Sequence, residues 1–289
     1  MMMSPIAQET FWIDPEFQPL LQHAGWDQFD RVMAATDGFC WRSMPDRENW
    51  RFDLPDGDGG QRRVYLKKHH VRLKQRRRTK TAARIEAENT LRLREIGVPN
   101  MRVIAFGERF RDDGLVESFL ITEELAGFFE LQFFLPERFA TRPRKVTVGR
   151  DRTLDDLIRR TAELARTFHD AGFNHRDFYA GHFFVRESPP GQFELRLIDL
   201  QRVQHRKRWR RHWIVKDLAQ LAWSVPPELI SCTHRLAFMR TYLNTAKLRP
   251  DDKRLIRAVA AKQQWMQRRL GDMREHSRPF GQSVNRVPG

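Results

Sequence analysis

The sequence predicts an α+β chain in two parts, a β-rich first lobe and a larger α-rich second lobe. Two observations carry this. Across residues 39–125, short apolar runs with strand character are split by Gly- and Asp-rich turns, and only one helical pattern intervenes. From residue 153 onward helical spacing dominates, interrupted by one pair of short apolar runs. The change of pattern falls near residues 123–127.

The elements follow in order. Residues 49–54 alternate as a strand does, with Trp50 and Phe52 on one side. Pro55-Asp56-Gly57-Asp58-Gly59-Gly60 then reads as a turn, and Val64-Tyr65-Leu66 leads into Lys67-Lys68, so the segment is a β-hairpin. Residues 81–96 form a helix closed by Gly97, with Pro99 just beyond. Strand-like runs return at 102–106 and 119–122. Thr153 is a candidate helix cap, and Asp155 and Asp156 sit in the first turn, where the positive end of the helix dipole favours carboxylates. Leu154, Leu157, Ile158, Ala165 and Phe168 recur at helical spacing until Gly172 ends the run. Two short strands, 183–185 and 195–198, are joined by a Pro/Gly turn, and helices follow at 216–224, 233–247 and 251–270. Residues 1–38 read as an N-terminal extension, 39–125 as the first lobe, 126–270 as the second and 271–289 as a polar, flexible tail.

Composition removes several classes. With 40% hydrophobic and 31% charged residues the chain is globular and not disordered. No apolar run approaches the roughly 18 residues of a membrane span, and the first residues, with Glu9, Asp14 and Glu16, lack the pattern of a signal peptide. Cys40 and Cys232 stand far apart, which argues against a disulfide framework and fits a reducing cytosol. The net charge of +15 calls for an anionic partner: nucleic acid, an anionic membrane surface or a phosphorylated substrate. The charge is clustered, with nine Lys or Arg in 67–84 and six in 202–211.

The residues that carry chemistry are His175-Arg176-Asp177, in a loop after a long helix and before the second hairpin, whose last strand ends at Leu197-Ile198-Asp199. Two carboxylates at neighbouring loop ends suit phosphoryl transfer: one orients and deprotonates the attacking hydroxyl, the other holds Mg2+ against the phosphates. Taken alone, either residue reads as a loop cap or a strand end; the register of the hairpin joins them. In the kinase loop a metal-binding Asn lies five residues after the Asp, and here that position is His182. Val64-Tyr65-Leu66-Lys67 matches the kinase strand whose Lys contacts the α- and β-phosphates of ATP and pairs with a Glu on the next helix. Glu86 and Glu88 are the candidates, and being two residues apart they face different sides of the helix. A kinase-type glycine-rich loop is missing, since 39–48 contains no glycine, and Arg42 and Arg47 are the cationic candidates to replace it. The fold predicted by this set is protein-kinase-like.

Longer stretches point to a family. Residues 47–54, 64–69, Phe119 through Leu125, His175 through Phe183, Leu197-Ile198-Asp199-Leu200-Gln201-Arg202, Trp209-Arg210-Arg211 and Lys216-Asp217-Leu218 resemble, in this order over roughly Phe39 to Tyr242, the blocks of the lipopolysaccharide kinase (Kdo/WaaP) family, nearest its core heptose(I) kinases. Gln201 departs from the family's usual His. The resemblance implies a kinase-like fold, ATP and Mg2+, and phosphorylation of an inner-core sugar, heptose or Kdo, at the cytoplasmic face of the inner membrane. It implies Asp177 as base, Asp199 on Mg2+ with help from His182, Lys67 on the ATP phosphates with Glu86 as its partner, and backbone groups of Glu123 and Leu125 on the adenine. Asp217 is implied as a buried support of the catalytic loop. The implied partners are the lipopolysaccharide inner core and the membrane that carries it; the density of Lys and Arg in 67–84, apart from Lys67 itself, and in 206–211 makes these two stretches the expected contacts with an anionic membrane surface.

Two other readings stay open from the residues: a kinase of the same fold with another small-molecule or protein acceptor, and a non-enzymatic basic module that binds membrane or RNA. The 67–84 stretch has few aromatics and so lacks the stacking platform of single-strand binders, which argues against nucleic acid.

Overall fold

The structure, a computed structural model, describes residues 6–72, 80–140, 152–206 and 208–271. It is α+β, and the chain divides into two compact units: Met1–Glu95 with Met101–Ala126, and Ile96–Asn100 with Gly127–Gly289.

The first unit contains β1 (Ile6–Ile13), α1 (Gln18–His23), α2 (Phe29–Ala34), β2 (Phe39–Met44), β3 (Arg47–Pro55), β4 (Gln61–Arg72), α3 (Ala82–Glu95), β5 (Val103–Arg111) and β6 (Leu115–Glu123). The strands form one six-stranded sheet in the order β1-β5-β6-β4-β3-β2. The β3–β4 hairpin runs in register from Arg47 opposite His69 to Pro55 opposite Gln61. Its turn is fixed by Asp56, whose Oδ1 accepts from the amides of Asp58 at 3.1 Å and Gly60 at 2.8 Å, while Gly57 and Gly59 take φ of 89° and 86°, which side chains resist.

The segment 1–38, predicted to be an extension, is built into this unit wherever it is described. β1 pairs antiparallel with β5, and Phe17, Leu20, Leu21, Trp26, Phe29 and Val32 pack into the same core as Phe52, Leu66 and Phe119. Strand signals are weakest at a sheet edge, and α1 and α2, of six residues each, are too short to show a period.

α3 is capped by Thr81, whose Oγ1 accepts from the Arg84 amide at 3.2 Å, and Gly97 beyond its end takes φ 79°. Its buried face is Ala83, Glu86, Ala87, Thr90 and Leu93.

The second unit contains β7 (Phe129–Glu130), α4 (Leu131–Phe139), α5 (Arg152–Asp170), β8 (Phe173–Asn174), β9 (Phe183–Glu187), β10 (Phe193–Leu197), β11 (Gln204–His205), α6 (Arg210–Ser224), α7 (Cys232–Tyr242) and α8 (Pro250–Leu270). Two small sheets, β10-β9-β7 and β11-β8, carry the loops between them. α5 buries Leu154, Leu157, Ile158, Ala165 and Phe168 as the spacing predicts; Thr153 lies inside its first turn and not at the cap. α6 begins at Arg210, six residues before the predicted start, because Arg210 to Val215 show no apolar period of their own. α7 stops at Tyr242 and not at 247, where Asn244 turns left-handed with φ 50°. The predicted tail after Gly271 lies outside the described residues. Among the described residues no helix is long and apolar enough to cross a membrane.

Candidate active site

In the first unit, Lys67 on β4 and Glu86 on α3 meet, Nζ to Oε1, at 2.6 Å. The sequence left Glu86 and Glu88 open. The choice follows from the helix face: Glu86 occupies a position in the buried stripe and is itself fully buried, so its charge requires a cation. Glu88 lies on another face and binds Lys80 Nζ at 2.6 Å and Arg84 Nε at 3.1 Å. Lys67 is 18% exposed on its side chain, so its ammonium is held yet reachable.

At the end of β6, the Glu123 amide donates to the Arg102 carbonyl at 3.0 Å and the Glu124 amide to the Arg63 carbonyl at 3.2 Å. The group that Glu123 can offer to an adenine is therefore its carbonyl. The turn between β2 and β3 has no glycine; Arg42 is exposed there, and Arg47 Nε binds Asn49 Oδ1 at 3.1 Å.

In the second unit the loop after β8 carries His175, Arg176 and Asp177. It is held from below. Asp217 on α6, fully buried, accepts from the His175 amide at 2.7 Å and the Arg176 amide at 3.0 Å. Its Oδ2 also lies 3.4 Å from His169 Nε2, and His169 Nδ1 lies 3.0 Å from the Tyr242 hydroxyl. The Arg176 carbonyl accepts from Lys216 Nζ at 2.5 Å and Gln220 Nε2 at 3.0 Å. These contacts hold Arg176 at φ 74°, a backbone state that costs on the order of 1–3 kcal/mol and persists only where the surroundings over-determine it. His175 is buried and neutral: burial and the neighbouring His182 push its pKa down to about 4.

His182 stands between Asp177 and Asp199. The His182 Nδ1 lies 2.6 Å from the Asp177 carbonyl oxygen. A carbonyl only accepts, so Nδ1 carries the proton, and Nε2 of the neutral ring presents a lone pair. That Nε2 stands 3.6 Å from Asp199 Oδ2. Asp199 is itself left-handed, with φ 55°, and its position is fixed by the amide of Ile198 bonding the His182 carbonyl at 3.0 Å. Two electron-pair donors facing each other suit a cation between them. Among the described residues no group of three or more His, Cys, Asp or Glu could hold a metal ion. Mg2+ characteristically takes one or two carboxylates and fills its remaining positions with substrate phosphates and water, so a two-donor set fits it, with imidazole the less usual partner.

Arg202 was not foreseen. Its Nη1 lies 2.8 Å from both Oδ1 and Oδ2 of Asp177. The only signal in sequence was its place three residues after Asp199.

Of the 67–84 stretch predicted to face a membrane, residues 73–79, including Arg76, Arg77 and Arg78, lie outside the described residues. Lys68 is buried, its ammonium bound to the carbonyls of Met33 at 2.9 Å and Ala35 at 2.5 Å. Lys80 binds Glu88, and Arg84 binds Glu88 and Glu108. Lys68 is thus spent inside the fold, and Lys80 and Arg84 are paired with carboxylates.

Comparison with known proteins follows the same lines. The model of the lipopolysaccharide kinase (Kdo/WaaP) family matches residues 35–242. The lipopolysaccharide core heptose(I) kinase WaaP of Pseudomonas aeruginosa is 31% identical over 268 residues, 89% of this chain and 94% of that protein. A protein of the same description from Escherichia coli is 34% identical over 206 residues, 69% of this chain and 75% of that protein. A solved structure, WaaP in complex with acyl carrier protein, superposes with a TM-score of 0.67 at 32% identity, covering 90% of this chain and 97% of that one.

Proposed function

Because the chain belongs to the lipopolysaccharide kinase (Kdo/WaaP) family, we propose that it transfers the γ-phosphoryl group of ATP to a heptose or Kdo hydroxyl of the lipopolysaccharide inner core. The observation that carries the site assignment is the place of His182, bonded to the Asp177 carbonyl at 2.6 Å and facing the Asp199 carboxylate at 3.6 Å. In this reading Lys67, braced by Glu86, holds the α- and β-phosphates, and backbone groups of Glu123 and Leu125 hold the adenine. Asp199 and His182 hold Mg2+, which neutralises charge on the phosphates when bound. Asp177 orients the acceptor hydroxyl. As the sugar oxygen bonds to phosphorus and the bond to the ADP oxygen breaks, the hydroxyl proton passes to the Asp177 carboxylate. Arg202, bound to that carboxylate, fixes its direction while leaving each oxygen further acceptor capacity. A heptose hydroxyl is favoured over Kdo, because the similar proteins from Pseudomonas aeruginosa and Escherichia coli are core heptose(I) kinases. The glycolipid acceptor places the enzyme, peripherally, on the cytoplasmic face of an anionic membrane.

The test is transfer from γ-labelled ATP onto phosphate-free lipopolysaccharide, with free heptose, a protein substrate and the Asp177→Ala variant as controls. Label on the glycolipid, absent with Asp177→Ala, is expected. Turnover on protein alone, or equal turnover by the variant, overturns the reading.

A second reading concerns a protein partner. One similar solved structure is of WaaP in complex with acyl carrier protein, and the second unit of this chain has an apolar cavity of about 300 Å3 lined by Leu131, Leu157, Leu218, Phe238, Met239 and Val259 among others. Such a lining suits a hydrocarbon chain. This chain would bind an acylated carrier protein more tightly than the unacylated one; native mass spectrometry of the two mixtures decides, and equal binding removes the cavity from the interaction.

A further inference from the structure

Residues 200–216, between Asp199 and Asp217, hold seven Lys or Arg and no carboxylate. The segment is anchored at both ends. β11 pairs with β8 through Gln204 opposite Asn174, the Arg206 amide donates to the Gly172 carbonyl at 3.1 Å, and the Arg210 guanidinium donates to the His169 carbonyl. Between these anchors the chain pushes Trp209 outward. Trp209 is 79% exposed, far above the next large hydrophobic side chain, Phe39, at 48%. Its backbone is left-handed at φ 61°, a state that a bulky non-glycine residue enters at a cost. An indole held in water by a strained backbone is an unfavourable arrangement that packing inside this unit does not explain.

The surroundings are cationic. Arg206, Arg208 and Arg211 are exposed. Among the described residues no carboxylate forms an ion pair with any of the three, whereas Lys80 and Arg84 of the other basic stretch are paired. Four residues on, within α6, the half-buried ring of Trp213 has Arg206 at 5.2 Å and Arg176 at 5.5 Å over it. An exposed indole with exposed arginines beside it in the chain matches the chemistry of a bilayer interface: the ring sits at headgroup depth and the cations meet anionic lipid.

We infer that Trp209, with Arg206, Arg208 and Arg211, is a membrane anchor, and that its occupant is an anionic lipid bilayer. Trp209 enters the headgroup layer while the arginines bind lipid phosphates around it. The inference sharpens the peripheral-membrane part of the reading above and is independent of the chemistry assigned to Asp177, since it needs neither nucleotide nor acceptor.

The test uses the full chain, vesicles free of lipopolysaccharide, and no ATP. Sedimentation with phosphatidylcholine vesicles is compared with vesicles containing phosphatidylglycerol over a NaCl series. Binding to the anionic vesicles that fades with salt is expected. Trp209→Asn keeps a residue tolerant of the left-handed backbone and should lower the partition coefficient by about tenfold, given the apolar area lost from the interface. Arg208→Gln with Arg211→Gln should lower it by about fivefold each, leaving the melting temperature and the turnover of detergent-dispersed acceptor at parental values. Equal binding to both vesicle types, or a Trp209→Asn variant that sediments like the parent, overturns the inference. So does a rise in KM of equal size for detergent-dispersed and vesicle-embedded acceptor, which would make the patch a grip on the acceptor itself. Retention of an acidic carrier protein or RNA without vesicle binding assigns the patch to another partner and equally refutes it.

Discussion

Asp217 and Asp177 lie close in the fold and should fail in opposite ways when removed. Asp217→Ala takes the acceptor from two buried main-chain amides, those of His175 and Arg176. Each orphaned buried donor costs about 1–3 kcal/mol, so the pair costs about 2–6 kcal/mol. In a unit of this size 1 kcal/mol moves the melting temperature by about 2–4 °C, which puts the expected fall on the order of 10 °C. Asp217→Asn keeps one acceptor oxygen and turns an amide group toward the second N–H, so it should fall about half as far. Asp177→Ala is different, because its partner Arg202 is 52% exposed on its side chain and a pair so open contributes at most about 1 kcal/mol. It should melt near the parent and lose transfer. Calorimetry of the three variants, with turnover measured well below each transition, separates the roles. An Asp217→Ala protein that melts within about 2 °C of the parent would refute the accounting of buried amides. An Asp177→Ala protein that loses as much stability as Asp217→Ala would refute the division of labour between the two carboxylates.

Glu86→Gln leaves Lys67 a neutral acceptor in place of a charged one, a loss of about 1 kcal/mol, so KM for ATP should rise about fivefold with acceptor KM unchanged; steady-state kinetics check it, and an unaltered KM for ATP removes the pair from the nucleotide site. Asp199→Asn exchanges a hard anionic oxygen for an amide, so the Mg2+ concentration at half-maximal turnover should rise sharply; a Mg2+ titration that overlays the parent's would exclude Asp199. His69, buried on β4, is held to a pKa of about 4 by desolvation, with Arg47 and Lys67 adding to the shift. The unfolded chain takes up that proton near pH 6.5 and the folded one only near 4, so stability from this group is full above pH 6.5 and falls by about 1.4 kcal/mol per unit between 6.5 and 4. Denaturant unfolding at several pH values should show that slope, and His69→Gln should flatten it.

The two-part fold was legible because both periodicities were strong. The β3–β4 hairpin came from alternation and an Asp/Gly turn, and α5 from an apolar stripe that buries as written. What escaped was set by tertiary contact. β1 reads weakly because an edge strand needs only one partner. The choice between Glu86 and Glu88 was in fact available from sequence, since Ala83, Ala87, Thr90 and Leu93 define the buried stripe in which Glu86 stands. Arg202 was not available in the same way. A half-exposed arginine shows no period, and its pairing with Asp177 depends on the loop after β10 returning beside the loop after β8. In the first charge cluster a sum over sequence counts Lys68, Lys80 and Arg84 alike, yet Lys68 is buried against carbonyls and Lys80 and Arg84 are ion-paired.

His182 shows how a change of residue type can conserve a physical role. The kinase Asn at this place must donate to one oxygen and accept, or ligate, on the other side. An amide does this with its NH2 and its carbonyl. A neutral imidazole does the same with Nδ1–H and Nε2, and here the donor end meets the Asp177 carbonyl at 2.6 Å while the acceptor end faces Asp199. Ionised aspartate cannot donate to the Asp177 carbonyl, and lysine, which only donates, could not help ligate a cation beside Asp199, so neither reproduces both ends of the ring. The ring is also larger than an amide and stacks on His175 with centroids 5.5 Å apart, and His175 is buried and bonded through Nε2 to the Ile198 carbonyl at 3.0 Å. That bond spans from the loop of Asp177 to the residue before Asp199. Histidine at 182 therefore gains a packing partner that asparagine would lack, and the same two loops are held together twice, once by hydrogen bonds through His182 and once through His175.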